Sequence, residues 1–362
     1  GHRMASSLPR CLTGFFRRGL PRGLCSGREI HPVVDVSSLM GQEKKGTEGV
    51  LKEMREALSE KGYFYASNCE SLPEEYIKKI YNFHEAIHDL PLSIKKEFAQ
   101  PKGSYSGLDL GEKHAEDAYE VGTTASVRAW DYSRHRFREG EGPKYPGIKE
   151  LGDSGDFFET LDDLYERQNR LGEGLMVAFA EMLGLEKEFF SSSFRGGDMG
   201  TIRMLYYPGC SAEEAKIANT GISAHTDFEV FTLMHQDGPG LQFLSPKDNT
   251  TWIDAPVRPG EFVVIIGDII ERFTNGELKA TPHRVLSTQH PRRSIIRFNA
   301  LHEDALVEPL PQFVSPERPA KYTPVFMKTH MKTTIDNLRE GKGAWDSVNQ
   351  SSLTAKYVYH SP

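Results

Sequence analysis

Between about residue 199 and residue 300 the chain breaks into short apolar segments separated by turn residues: TIRMLYY, FTLMHQ, GLQFL, WIDAP, FVVIIG, HRVLST and SIIRFNA. Each is too short for a packed helix and is rich in β-branched and aromatic side chains, so each reads as a strand. A row of such strands in one sheet leaves unpaired edges, and closing two sheets over each other is the usual way to cover them. Asn275-Gly276, inside FTNGELKA, predicts a tight turn. The segment is therefore expected to form a β-sandwich or jelly roll.

What precedes it is mostly helical. TEGVLKEMREALSEKGYFYASN places Val50, Leu51, Met54, Ala57 and Leu58 on one helical stripe, with Thr47 as N-cap and Gly62 beyond the end. A second amphipathic pattern, PEEYIKKIYNFHEAIHDLP, stops at Pro91, and the longest runs over residues 156–185. HPVVDVSSL and YFYAS read as strands. From about 101 to 150 periodicity is lost, which predicts long loops with one or two strands. The expected class is α+β with a mainly β core, braced by N-terminal helices. The expected organisation is a leader over 1–28, an N-terminal helical region over 29–195, a jelly-roll core over 196–330, and a C-terminal helix with a loosely held tail over 331–362.

Charge narrows the function. Residues 1–28 hold six arginines and no acid, which leaves 38 of the 44 basic residues against 51 acidic ones in the remainder. A body so acidic repels phosphate backbones, so no nucleic-acid partner is expected. The longest nearly pure apolar run, Phe262–Ile270, is too short to cross a bilayer and contains Asp268, so no membrane span is expected. Gly1-His2-Arg3 reads as a remnant of expression. The Arg-rich, acid-free stretch from Met4 onward, with Leu12, Phe15, Phe16 and Leu20 near helical spacing, reads as a transit segment to a mitochondrial or other organelle matrix, the alternative being a disordered basic tail on a cytoplasmic protein. Four dispersed cysteines without a CxxC pair fit a reducing compartment.

Two patterns could bind metal. His84-Glu85-Ala86-Ile87-His88 matches HExxH, the helical zinc-peptidase signature with Glu85 as general base. Against it, Pro91 ends the helix at once, positions 91 and 94 are Pro and Ile where the extended motif needs Gly and His, and His84 falls on the inward stripe with Ile77 and Ile80. The second pattern is His225-Thr226-Asp227, whose outer members share one face if the segment is a strand. His283, 56 positions after Asp227, is the best candidate for a third ligand. Two imidazoles and a carboxylate on one face of an octahedral ion are typical of non-haem Fe(II) oxygenases. Arg292 and Ser294, alternating on a later strand, would make a carboxylate clamp.

Together these segments resemble the 2-oxoglutarate and Fe(II)-dependent oxygenases of the isopenicillin N synthase-like group. HPVVDVSSL…EALSEKGYFYASN and FHEAIHDLPLSIKKEFA resemble that family's N-terminal region. IRMLYYPG, AHTDFEVFTLMHQDGPGLQFL, WIDAPVRPGEFVVIIGD, TNGELKATPHRV and RRSIIRF stand in family order and spacing. The resemblance implies a double-stranded β-helix, a cupin-like jelly roll. It also implies His225, Asp227 and His283 as Fe(II) ligands, and Arg292, Ser294 and Tyr207 around the distal carboxylate of 2-oxoglutarate. Phe298 matches an aromatic that often faces the substrate in that family, and the substrate pocket is expected to be lined from the stretch 101–150 and the strands near Phe228 and Phe298. Leu205 departs from the plant branch, which has Asn there and gains one polar contact from it. The implied reaction consumes O2 and 2-oxoglutarate, releases succinate and CO2, and hydroxylates, desaturates or cyclises a small molecule. A 2-oxoglutarate-independent oxidase of the isopenicillin N synthase type, the zinc peptidase and an inactive metal-binding scaffold stay open. Tyr105, Tyr119, Arg128 and Trp130 suggest an aromatic, cationic pocket; oligomeric state is not legible.

Overall fold

Strand Phe262–Ile266 shows why the core forms. Its five consecutive apolar residues are all buried because the strand has two dry faces: Val263 and Ile265 turn into a barrel, while Phe262, Val264 and Ile266 turn toward a layer of helices. The structure, a computed structural model, describes residues 31–40, 47–96, 99, 107–108, 127–132, 157–195, 197–213, 220–340, 342–346 and 351–354. The leader lies outside these residues, as do Tyr105 and Tyr119.

In chain order the strands that build the core are β1 (Val33–Asp35), β2 (Tyr63–Ser67), β3 (Gly107–Leu108), β4 (Arg128–Tyr132), β5 (Ile202–Tyr207), β6 (Thr220–His225), β7 (Phe231–Gln236), β8 (Leu241–Leu244), β9 (Trp252–Asp254), β10 (Phe262–Ile266), β11 (His283–Leu286) and β12 (Arg292–Asn299). The larger sheet has the order β1-β2-β10-β7-β12-β5-β4-β3, and the smaller has β6-β11-β8-β9. All pairings are antiparallel except β1 with β2. Antiparallel sheets closed face to face in this order make the double-stranded β-helix. β1 to β4 come from the N-terminal half yet hydrogen-bond into the same large sheet, extending it at both edges.

The helices cover the outer face of that sheet. They are α1 (Ser37–Met40), α2 (Thr47–Glu60), α3 (Glu74–Asp89), α4 (Leu92–Lys95), α5 (Phe157–Met182), α6 (Glu188–Arg195), α7 (Asp268–Phe273) and α8 (Met327–Arg339). α5 buries Leu161, Leu164, Leu171, Leu175, Phe179 and Met182 at the expected helical spacing, and Phe179 stacks on Phe231 of β7 at 5.1 Å. Each such leucine contributes about 2 kcal/mol of burial, so Leu175→Ala would cost roughly 2–5 kcal/mol. Arg297 of β12 crosses the same layer to Asp198 at 2.8 Å and to Asn169 at 3.0 Å, a buried pair that fixes how α5 lies on the sheet.

Asn275-Gly276 is the expected turn, with φ of 51° and 78°, and it directly follows α7. Asn275 is held because its buried amide bonds to the Phe313 and Pro319 carbonyls and accepts the Lys321 N–H. The apolar run 262–270 divides at Gly267, where any Cβ would collide with the Glu229 carbonyl; the chain turns there from β10 into α7. The tail is not loose throughout. Trp345–Asp346 pairs with Ser351–Ser352, and Thr354 is fully buried with its hydroxyl on the Asp268 carboxylate.

Candidate active site

β6 and β11 are neighbours in the small sheet, and their register sets His283 directly opposite His225. The rings lie 4.3 Å apart. Asp227 is not on the strand, as its spacing from His225 had suggested: β6 ends at His225, and the carboxylate returns from the connection to β7. Its Oδ1 stands 3.6 Å from Nε2 of each histidine, beyond a hydrogen bond and within reach of a common ion.

The three groups are fixed from behind. His225 Nδ1 donates to the Ser223 carbonyl at 2.8 Å and His283 Nδ1 to the Thr281 carbonyl at 2.9 Å, so in both rings the ligating lone pair falls on Nε2. The Thr232 hydroxyl donates to Asp227 Oδ2, and Asp268 N–H donates to the Asp227 carbonyl at 2.9 Å. Burial, and then the neighbouring His283, hold the His225 imidazole well below its ordinary range, which keeps it neutral and fit to bind a metal. Among the described residues this is the one group of three or more His, Cys, Asp or Glu side chains close enough to share an ion.

A second polar cluster sits deeper in the barrel. Strand alternation on β12 turns Arg292, Ser294, Ile296 and Phe298 to the inside, and on β5 it does the same for Arg203, Leu205 and Tyr207. Arg292 is 1% exposed, with Nη2 on Gln236 at 2.8 Å and Nε on the Gly238 carbonyl at 3.3 Å. Its Nη1 and the Ser294 hydroxyl are buried without a hydrogen-bond partner, and no carboxylate among the described residues pairs with the guanidinium. A buried, uncompensated cation beside an orphaned hydroxyl is costly unless an anion completes it. The Tyr207 ring lies 4.7 Å from that guanidinium, and Gly221 of β6 makes room for it: a Cβ there would meet the ring at 2.8 Å. A dicarboxylate with one end on this clamp and the other at the His-Asp-His group fits both orphaned atoms. Leu205, where the plant branch has Asn, lines the chamber with an apolar side chain.

The chamber at the triad includes Tyr207, Ile222, Ile296 and Phe298. It adjoins a mouth bounded by Phe228, Phe298 and, from α8, Met331, Ile335 and Leu338. Both expected aromatics, Phe228 and Phe298, are therefore at the mouth. Arg128 and Trp130 are not, because β4 turns them to the opposite face, where Arg128 lies over Tyr206 and Trp130 joins the helical layer. The polar pair that does reach the mouth is Asp131 with Arg203, which sequence reasoning missed. The signal was present in the alternation of RAWDY and IRMLYY, but it required knowing that β4 pairs with β5.

The HExxH pattern forms no metal site. His84 is fully buried with neither ring nitrogen hydrogen-bonded, and His88 stacks on Tyr206 at 4.9 Å. Glu85 leaves the helix on the far side and pairs with Arg293 at 2.8 Å. The helix phase that buries the two histidines thus removes the acid that a peptidase would need beside them.

The family model described as "2OG-Fe(II) oxygenase superfamily" matches residues 200–300, and that of the "non-haem dioxygenase in morphine synthesis N-terminal" region matches 31–139. The chain is similar to a "probable 1-aminocyclopropane-1-carboxylate oxidase" of Dianthus caryophyllus, 30% identical over 79% of this chain and 84% of that one. It is also similar to the "2-oxoglutarate-Fe(II) type oxidoreductase hxnY" of Emericella nidulans, 28% identical over 81% and 86%. In fold it matches a full-length Neurospora crassa protein solved in complex with alpha-KG, with a TM-score of 0.75 and 23% identity over 88% of this chain and 98% of that one. The chain belongs to the 2-oxoglutarate-Fe(II) oxygenase superfamily and is a non-haem iron, 2-oxoglutarate-dependent dioxygenase acting on a small molecule.

Proposed function

We propose that His225, Asp227 and His283 hold the Fe(II), that Arg292, Ser294 and Tyr207 hold the distal carboxylate of 2-oxoglutarate, and that the substrate enters past Phe228 and Phe298. The observation that carries this reading is the buried guanidinium of Arg292, whose Nη1 lacks a partner next to the partnerless Ser294 hydroxyl. Bound Fe(II) supplies activation of O2, so that 2-oxoglutarate goes to succinate and CO2 while a substrate C–H bond is oxidised, by hydroxylation, desaturation or ring closure. The chain's own residues do the rest. The Nδ1–H groups of both imidazoles donate to carbonyls and so leave each Nε2 to face the ion, the clamp orients the keto acid, and the largely apolar mouth keeps bulk water from the reaction.

Succinate formation from 2-oxoglutarate, Fe(II) and O2 tests the assignment, with a screen of small metabolites to stimulate it. Turnover lost in both His225→Ala and Arg292→Met supports it. Turnover retained in His225→Ala refutes the ligand set, and undiminished 2-oxoglutarate consumption in Arg292→Met refutes the clamp. The acid-free leader supports delivery to an organelle matrix, tested by the destination of a fluorescent protein carrying residues 4–28. Among the described residues no helix is long and apolar enough to cross a membrane.

A further inference from the structure

Among the described residues the charged members of the mouth's wall are Asp131, Arg203, Asp227 and Glu229, and of these Asp227 belongs to the His-Asp-His group. Asp131 of β4 and Arg203 of β5 are register partners on the barrel-facing side, with Arg203 Nε 3.2 Å from Asp131 Oδ1. Their side chains are 10% and 16% exposed, and what exposure they have is to the mouth, which both line. Arg203 also borders the triad chamber, so a molecule resting against this pair lies next to the reacting centre. Glu229 shares the wall but is turned back on the chain, its Oε2 accepting the Phe228 N–H at 3.0 Å.

An ion pair in such a place selects by charge. A substrate anion gains from Arg203 but meets Asp131 at the same spot, and a cation meets the reverse; like charges placed together in a poorly hydrated site cost several kcal/mol. A group that accepts from the guanidinium and donates to the carboxylate satisfies both without carrying a charge into the mouth. The remaining walls, Phe228, Phe298, Met331 and Ile335, offer faces for a flat apolar body.

We infer that the substrate carries no net charge and presents a hydrogen-bond donor and an acceptor side by side on a planar ring, as a cyclic amide does, with Arg203 and Asp131 reading that edge. This deepens the proposed dioxygenase reading and rests on it.

The test is binding, so it does not depend on turnover. Protein loaded with Fe(II) under anaerobic conditions is first titrated with 2-oxoglutarate, then with 2-pyridone, benzoate, benzylamine and phenylalanine by calorimetry. 2-Pyridone is expected to bind at least about tenfold tighter than the other three, the least separation one uncompensated charge should produce. Asp131→Asn should move the preference about tenfold toward benzoate, and Arg203→Gln about tenfold toward benzylamine. A purely structural pair would shift no preference by charge. Benzoate, benzylamine or phenylalanine binding as tightly as 2-pyridone overturns the inference, as does no binding by any probe when 2-oxoglutarate is bound, or both variants shifting the series in one direction. Where a variant no longer binds 2-oxoglutarate its fold is in question and the wild-type ranking decides. Failure of the wild type to bind 2-oxoglutarate removes the dioxygenase reading itself, and the inference with it.

Discussion

Arg292→Met separates a ligand-binding arginine from a structural one, because the two roles predict opposite outcomes. In the ligand-free protein Arg292 is a buried cation with no carboxylate partner among the described residues and two hydrogen bonds, to Gln236 and the Gly238 carbonyl. Methionine removes those bonds but also the desolvated charge, so ligand-free stability should change by no more than about 1–2 kcal/mol. Binding should change far more. Losing a bidentate, charge-assisted contact to a carboxylate costs roughly 4 kcal/mol, which is about a thousandfold in Kd. At a 2-oxoglutarate concentration of about 100 times the wild-type Kd, the keto acid should stabilise the wild type by about 2.7 kcal/mol and the variant by less than about 0.1 kcal/mol. For a unit of this size that is a Tm rise of about 4 °C against none. Paired melts with and without 2-oxoglutarate, with Mn(II) in place of Fe(II) to prevent turnover, make the measurement. A variant that keeps the ligand-dependent rise, or that loses more than about 4 kcal/mol without ligand, refutes the reasoning.

Other consequences can be checked in parallel. Asp227→Ala should abolish both metal-dependent 2-oxoglutarate binding and succinate formation, and titration of Fe(II) into the variant should show no saturable site. His84→Leu replaces a buried ring whose nitrogens have no hydrogen-bond partner, so stability should stay within about 1 kcal/mol and turnover should be unchanged; lost turnover in a folded variant would relocate the metal site. Burial holds His330 down to about 3. The unfolded chain takes up that proton near pH 6.5 and the folded one does not, so this group removes about 1.4 kcal/mol of stability between pH 7.5 and 5.5. Burial raises Asp268 to about 7 and Glu229 to about 8, which acts in the opposite direction over the same window. The readout is therefore the denaturant-measured difference between wild type and His330→Gln, which should shift by about 1.4 kcal/mol in favour of the variant on going to pH 5.5. An unchanged difference would mean that His330 protonates in place.

Much of the core was legible because its signals are local. FVVIIG and SIIRFNA announce strands by composition, and the inward alternation of Arg292 with Ser294 follows from a period of two. The triad was legible from one short-range pair and one distant histidine, although Asp227 reaches the others from a turn rather than from the strand. What stayed hidden depends on pairings between remote segments. Nothing in RAWDY shows that Asp131 will stand opposite Arg203, because that register belongs to β4 lying against β5. Thr232, which holds Asp227, and Gln236, which holds Arg292, look like ordinary polar residues of a half-wet strand until the barrel closes over them. The tail misled for a related reason: its polar composition suggests solvent, yet Thr354 lies on Asp268, 86 positions back in the chain.

The C-terminal helix has a consequence of its own. Met331, Ile335 and Leu338 furnish one wall of the entrance, while every proposed ligand and clamp residue precedes Ala300. The oxidising machinery and this part of the gatehouse are thus encoded in separate, consecutive stretches of the chain. Exchanging only the side chains of Met331, Ile335 and Leu338 can re-tailor which guests are admitted while every proposed ligand and clamp residue is kept, a modularity open to both natural divergence and the bench.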